Sequence, residues 1–207
     1  MYCSAHFAET RPEALRDLVR QYPVGTIVTT GPDGLRADHV PCLLEGEGRH
    51  GVLRAHVARA NPLWRDTLTD IDVLIVFQGP NRYITPSWYA TKRETGKVVP
   101  TWNYMVVHVH GRLRVVDDAP WVHALVSRLT DSFESDRAAP WKVSDTPEDF
   151  VTQQLRAIVG IEIPIDRIEG KWKVSQNRVA ADRAGVACGL REAGADGMAK
   201  EVEERGS

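Results

Sequence analysis

The 207-residue chain balances 26 basic against 28 acidic side chains, for a net charge of −2, and 43% of it is hydrophobic. Such a chain can bury a substantial core in one domain, and near-neutral charge without a basic run argues against direct nucleic-acid binding. No apolar stretch approaches the ~18 residues of a membrane span, the start MYCSAHFAETRPEAL has no basic and apolar leader, and Cys3, Cys42 and Cys188, without a CxxC, exclude a disulfide framework or zinc knuckle and fit a reducing cytoplasm.

Thr10-Arg11-Pro12-Glu13 reads as the capped start of a helix. Its apolar face is Ala14, Leu15, Leu18 and Val19, and it ends at Tyr22-Pro23. Val24 to Thr30 and Leu35 to Leu44 read as strands around the turn Gly31-Pro32-Asp33-Gly34. A second turn, Glu45 to Gly48, leads into a third strand from Leu53, which makes a three-stranded meander. Ile71 to Phe77 is a short apolar run, predicted as a buried strand, and Gln78-Gly79-Pro80 predicts a turn before another strand from Arg82 to Thr85. Tyr89 to Gly96 reads as a loop. Val98 to Val116 is β in composition and interrupted near Pro100; its second half alternates, with His108, His110, Arg112 and Arg114 on one face. Asp117 to Pro120 opens a helix to about Ser132, and Thr146-Pro147-Glu148-Asp149 caps another to about Arg156. Ile158 to Ile165 and Ile168 to Val174 read as a closing pair of strands, followed by a helix over Arg178 to Leu190. The pattern predicts a mainly antiparallel barrel with peripheral helices, an α+β chain, as one domain over 1–190 with a frayed tail over 191–207.

The stretch LRAHVARANPLW, from Leu53 to Trp64, concentrates chemistry. Alternation puts Arg54 and His56 on one strand face. Asn61 then reads as an N-cap with Pro62 opening a short helix. Two cations, an imidazole and a helix start suit an anionic group such as a phosphate, or else form a solvated strand end. Gly46 to Gly51 spells GxGxxG, but a strand follows it where the dinucleotide fingerprint needs a helix, so it reads as a hairpin turn. His108 and His110 could share a metal ion, but no further ligand completes a site within the strand, so they read as a polar face. Cys42, between Pro41 and Leu43, reads as a buried structural thiol. GKVVPTWNY and EGKWKVSQNR each set a Trp among hydrogen-bonding residues, which suits either a core plug or a planar ligand with polar edges.

RAHVARANPLW, IVFQGPNRYITPSWY, GKVVPTWNY, HGRLR, AIVGIEI and EGKWKVSQNR, in this order from Met1 to about Leu190, resemble the PaiB family of FMN-binding negative transcriptional regulators. The resemblance implies an FMN-binding split β-barrel like that of pyridoxamine-phosphate oxidase, and a homodimer with cofactor sites at the subunit interface. It implies that Arg54, His56, Arg59 and Asn61 hold the phosphate end of FMN. Gln78, Trp102 and Asn103 would line the ring pocket, and Lys173 and Gln176 would close it, from the same or the partner chain. Related split barrels bind haem, and piperazate synthases, similar to PaiB proteins, use it to form an N–N bond in N-hydroxyornithine. On that alternative, haem b would take His56 as axial ligand and Arg54 beside its propionates. The label of regulator is a further alternative, although no helix-turn-helix is evident.

Overall fold

The structure is a computed structural model and describes residues 1–46, 50–68 and 71–205. Its strands are β1 (Ala8–Glu9), β2 (Val24–Gly31), β3 (Gly34–Pro41), β4 (Leu43–Glu45), β5 (Val52–Ala58), β6 (Val73–Ile84), β7 (Thr101–Gly111), β8 (Arg114–Val116), β9 (Ile158–Pro164) and β10 (Arg167–Lys173). Its helices are α1 (Pro12–Gln21), α2 (Leu63–Asp66), α3 (Thr91–Thr95), α4 (Ala119–Glu134), α5 (Glu148–Arg156), α6 (Ala180–Glu192) and α7 (Asp196–Glu204). No helix among the described residues is long and apolar enough to cross a membrane. The contacts fall into two compact units, the first made of Met1–Leu18, Gln78–His108 and Glu169–Ser207, the second of Val19–Phe77 and Val109–Ile168.

In the second unit, β2 pairs antiparallel with β3 along its whole length and with the start of β6. A separate sheet has the order β4-β5-β9-β8, with every neighbouring pair antiparallel. The expected meander is therefore broken. The chain changes sheet at Cys42, whose backbone N–H donates to Pro23 O at 2.9 Å. The Cys42 side chain is buried, and burial pushes its thiol up to about 12, as befits a structural thiol. The four-stranded sheet buries Leu53, Ala55, Val57, Val159, Ile161 and Ile163 at alternate positions. Asp118 caps α4, accepting from Trp121 N at 2.8 Å. The ring of Trp121 lies where a Cβ on Gly160 would sit, so the glycine lets α4 close on β9. Residues 47–49, half of the turn expected over Glu45 to Gly48 and half of the GxGxxG stretch, lie outside the described residues.

In the first unit the strand order is β1-β10-β7-β6. The turn expected at Gln78-Gly79-Pro80 is absent, and β6 runs unbroken through it. Gly79 serves close packing instead: a Cβ there would meet Leu18 Cδ1 at 3.0 Å and Met105 O at 3.2 Å. The loop expected over Tyr89 to Gly96 contains α3, ended by Gly96 at φ 66°. The expected closing pair of strands is also corrected: β9 lies between β5 and β8, whereas β10 lies between β1 and β7.

Residues expected to fray form α7, with Met198, Ala199 and Val202 buried. The short polar sequence after Leu190 hid this apolar face. Arg205, just past α7, pairs with Glu9 on β1, pairs with Glu201 at 3.0 Å, and lies 5.2 Å from the Trp172 ring centroid. Burial pushes the Glu9 carboxyl up, but hydrogen bonds from Arg11 and Arg205 outweigh it and hold it below its ordinary 4.5. A depressed folded pKa stabilises the folded state above the unfolded value, and that gain is lost as pH falls through the folded one. Acidification below pH 4.5 should therefore loosen α7 before the rest of the chain, read as a change in tryptophan fluorescence. Glu9→Gln should remove the pH dependence of that step; a step of equal size in the variant would assign it to another group.

Candidate functional site

The sequence-predicted site residues fall in both units, and each set has its own geometry. In the second unit, β5 presents Arg54 and His56 half-buried on one face. Arg54 stands directly across from Glu162 in the sheet. Its Nε donates to Glu162 Oε2 at 2.8 Å, and its Nη1 donates to Glu45. Arg128 of α4 reaches Glu45 at 3.0 Å and Arg114 lies 3.9 Å from Glu162. Arg128, Glu45, Arg54, Glu162 and Arg114 thus form an alternating row of charge that ties α4 to the four-stranded sheet. Arg54 is only 12% exposed within it. The guanidinium expected to meet a phosphate is held between two carboxylates. The sequence hides this because one partner lies 9 and the other 108 positions away.

Arg59 is similarly engaged. Its guanidinium grips Asp117 with contacts of 2.8 and 2.6 Å, and it donates to the carbonyls of Arg156 and Ile158 at 2.8 and 3.1 Å. Asn61 does cap the turn into α2, accepting from Leu63 N at 2.8 Å, while its amide donates to Asp38 Oδ1 at 2.8 Å. All three residues are bound to groups of the protein where the sequence pattern suggested an open anion pocket. His56 differs. Its Nδ1 is buried with no hydrogen-bond partner among the described residues, and burial holds the ring below the usual imidazole range, so it is neutral at pH 7.

In the first unit, period two along β10 puts Lys171 and Lys173 on one face, on either side of buried Trp172. The same period on β7 aligns Trp102 with Tyr104. Lys173 Nζ donates to Thr101 Oγ1 and to Trp102 O, the latter at 2.9 Å. Lys171 donates to Tyr2 O at 3.2 Å, and the two ammonium groups lie 5.5 and 6.0 Å from the Tyr104 ring centroid. Arg178 lies over Tyr89 at 4.7 Å. Among the described residues none of these three cations is paired with a carboxylate; they contact rings, a hydroxyl and carbonyls. Burial, then the charges of Lys171 and Arg178, hold Lys173 below the usual lysine range, against the opposing effect of Tyr104. Trp102 is 54% and Tyr83 of β6 47% exposed, and their rings meet edge-on with centroids 5.9 Å apart.

Gln78 is exposed on β6. Asn103 and Gln176 are turned inward. Asn103 is fully buried and donates to Ser175 Oγ at 3.0 Å. Gln176 brackets the turn, accepting from Val174 N at 2.8 Å and donating to Trp172 O at 2.5 Å. That turn contains Ser175 at φ 65°, a left-handed conformation a serine adopts only where its surroundings fix it. Sequence reasoning reached Trp102 and Lys173 but passed over Lys171, Arg178, Tyr83 and Tyr104. The Lys-Trp-Lys alternation was the available signal.

Residues 1–167 match the family model described as "Putative FMN-binding domain". The Bacillus subtilis protein named protease synthase and sporulation protein PAI 2 is 32% identical over 186 residues, 90% of this chain and 87% of that one. An uncharacterised protein of Emericella nidulans is 34% identical over 245 residues, covering 100% of this chain and 98% of that one. Among solved structures, the flavocytochrome Anf3 of Azotobacter vinelandii superposes with a TM-score of 0.59 at 13% identity, over 80% of this chain and 69% of that one. An FAD- and haem-binding protein of Mycobacterium smegmatis gives 0.59 at 16%, over 80% and 73%. At such identities the likeness is one of fold, and it agrees with the expected split-barrel class.

Proposed function

We propose that this chain, which belongs to the PaiB family of FMN-binding-domain proteins, binds FMN on the cationic, aromatic face of its first unit, as a homodimer, in a flavin-linked redox or regulatory role. The observation that carries this reading is the set Lys171, Lys173 and Arg178, which among the described residues meets aromatic rings and no carboxylate, beside the half-exposed Trp102. FMN joins a flat ring to a phosphate. Trp102 and Tyr83 offer a stacking surface, and an anion would relieve the repulsion around Lys173. When bound, FMN would supply two-electron redox chemistry; the chain's own part is to orient the ring and fix the phosphate. A second copy covering exposed Trp102 and Tyr83 would exclude water from that face.

Haem fits less well. His56 is neutral and has an unpartnered Nδ1, as an axial ligand needs. Arg54, however, is held by Glu45 and Glu162 and is not available to propionates. The absorption spectrum of the purified protein tests the reading. Flavin bands, with a dimer mass by light scattering, are expected. A Soret band lost in His56→Ala would overturn it.

A further inference from the structure

The second unit contains a cleft that plays no part in the flavin reading. A cavity of about 460 Å³ opens between the start of α4 and the end of α5, bordered by Arg59, Asp117, Asp118, Val122, Leu155 and Arg156. This volume is in the range of small-molecule sites. A second hollow of about 180 Å³ shares His123, Leu155 and Ile158 with it and continues between the helices past Val143, Phe150 and Trp141. Phe150 and Trp141 are 51% and 48% exposed at its rim.

The polar end is balanced in charge. Arg59 and Asp117 neutralise each other in a two-point ion pair. That leaves Arg156, whose guanidinium has no partner among the described residues, although its backbone carbonyl accepts from Arg59. It also leaves Asp118, whose Oδ1 caps α4 and whose Oδ2 has no partner among the described residues. Among the described residues, one unpaired guanidinium and one carboxylate oxygen without a partner border the same cavity, with His123 at its junction with the apolar hollow. A simple acid would meet the carboxylates of Asp117 and Asp118, and a simple amine the guanidinium of Arg156. A ligand carrying both charges satisfies both ends.

We propose that this cleft binds a free α-amino acid with a large apolar side chain: its carboxylate on Arg156, its ammonium on Asp118, and its side chain in the hollow beside Val143 and Phe150. The site shares no residue with the flavin-binding face, so the two can be tested apart. Calorimetric titration of the full-length protein with L-phenylalanine or L-leucine should give saturable binding. Glycine, which lacks the side chain, should bind at least tenfold more weakly, as should phenylacetate and phenethylamine, which each lack one charge. Arg156→Gln, a change at an exposed helix end, should weaken phenylalanine at least tenfold and leave FMN binding as in the wild type. Trp141 fluorescence should respond to phenylalanine, and that response should disappear in Trp141→Phe. No saturation by either amino acid at millimolar concentration, or unchanged affinity in Arg156→Gln, would overturn the proposal. Phenylacetate binding as tightly as phenylalanine would also overturn it, since the ammonium would then contribute nothing.

Discussion

Arg54→Ala is expected to lower the unfolding free energy by about 3 kcal/mol, measured by urea titration without added flavin. The loss lies at the low end of the ~3–5 kcal/mol for breaking a buried ion pair, because Glu45 and Glu162 are partly exposed and keep Arg128 and Arg114 as second partners. The loss arises mainly from two carboxylates left short of a cation. Replacing the group as a whole, Arg54→Met with Glu45→Gln and Glu162→Gln, should therefore recover most of the stability. A triple variant as unstable as the single one would mean that packing by the Arg54 stem, not charge, is what the sheet needs. Arg54→Met that folds should bind FMN as the wild type does. A loss of tenfold or more would return Arg54 to the phosphate.

Lys173→Ala is expected to weaken FMN by about 10- to 100-fold, the equivalent of one charge-assisted contact of roughly 1.5–3 kcal/mol. Its ammonium is already positioned by Thr101 and the Trp102 carbonyl, so little ordering remains to be done on binding. Lys173→Glu should be worse still, because it adds repulsion to the loss. Wild-type affinity should fall as salt rises, and the salt dependence should be shallower in Lys173→Ala. Equal affinities across the three proteins would remove Lys173 from the site.

Much of the fold was legible because its signals are local. Pro12 at the start of α1, the cap at Asp118, the alternation around Val107 and Val109, and the apolar run of Ile71 to Phe77 each specify their element within a few residues. What was hidden depends on partners distant in sequence. Gly79 and Pro80 carry the composition of a turn, yet Leu18 and Met105 make Gly79 a point of close packing inside a strand. The change of sheet at Cys42 has no local sign beyond Pro41. The site divides the same way. Trp102 and Lys173 lie in short motifs dense in hydrogen-bonding residues, and the structure joins them. Arg54 and Arg59 looked like free cations only because Glu45, Glu162 and Asp117 are remote or on other strands.

The proposed flavin site on the first unit stands or falls on joint recognition of an anion and a flat ring. Its most direct measurement is a titration of the wild-type protein with FMN and, in parallel, with riboflavin, which has the same ring and no phosphate. FMN should bind with saturable affinity and about 10-fold or more tightly than riboflavin, as one charge-assisted phosphate contact requires. Equal binding of the two would contradict the role of Lys171, Lys173 and Arg178, and no binding of either would contradict the flavin reading itself.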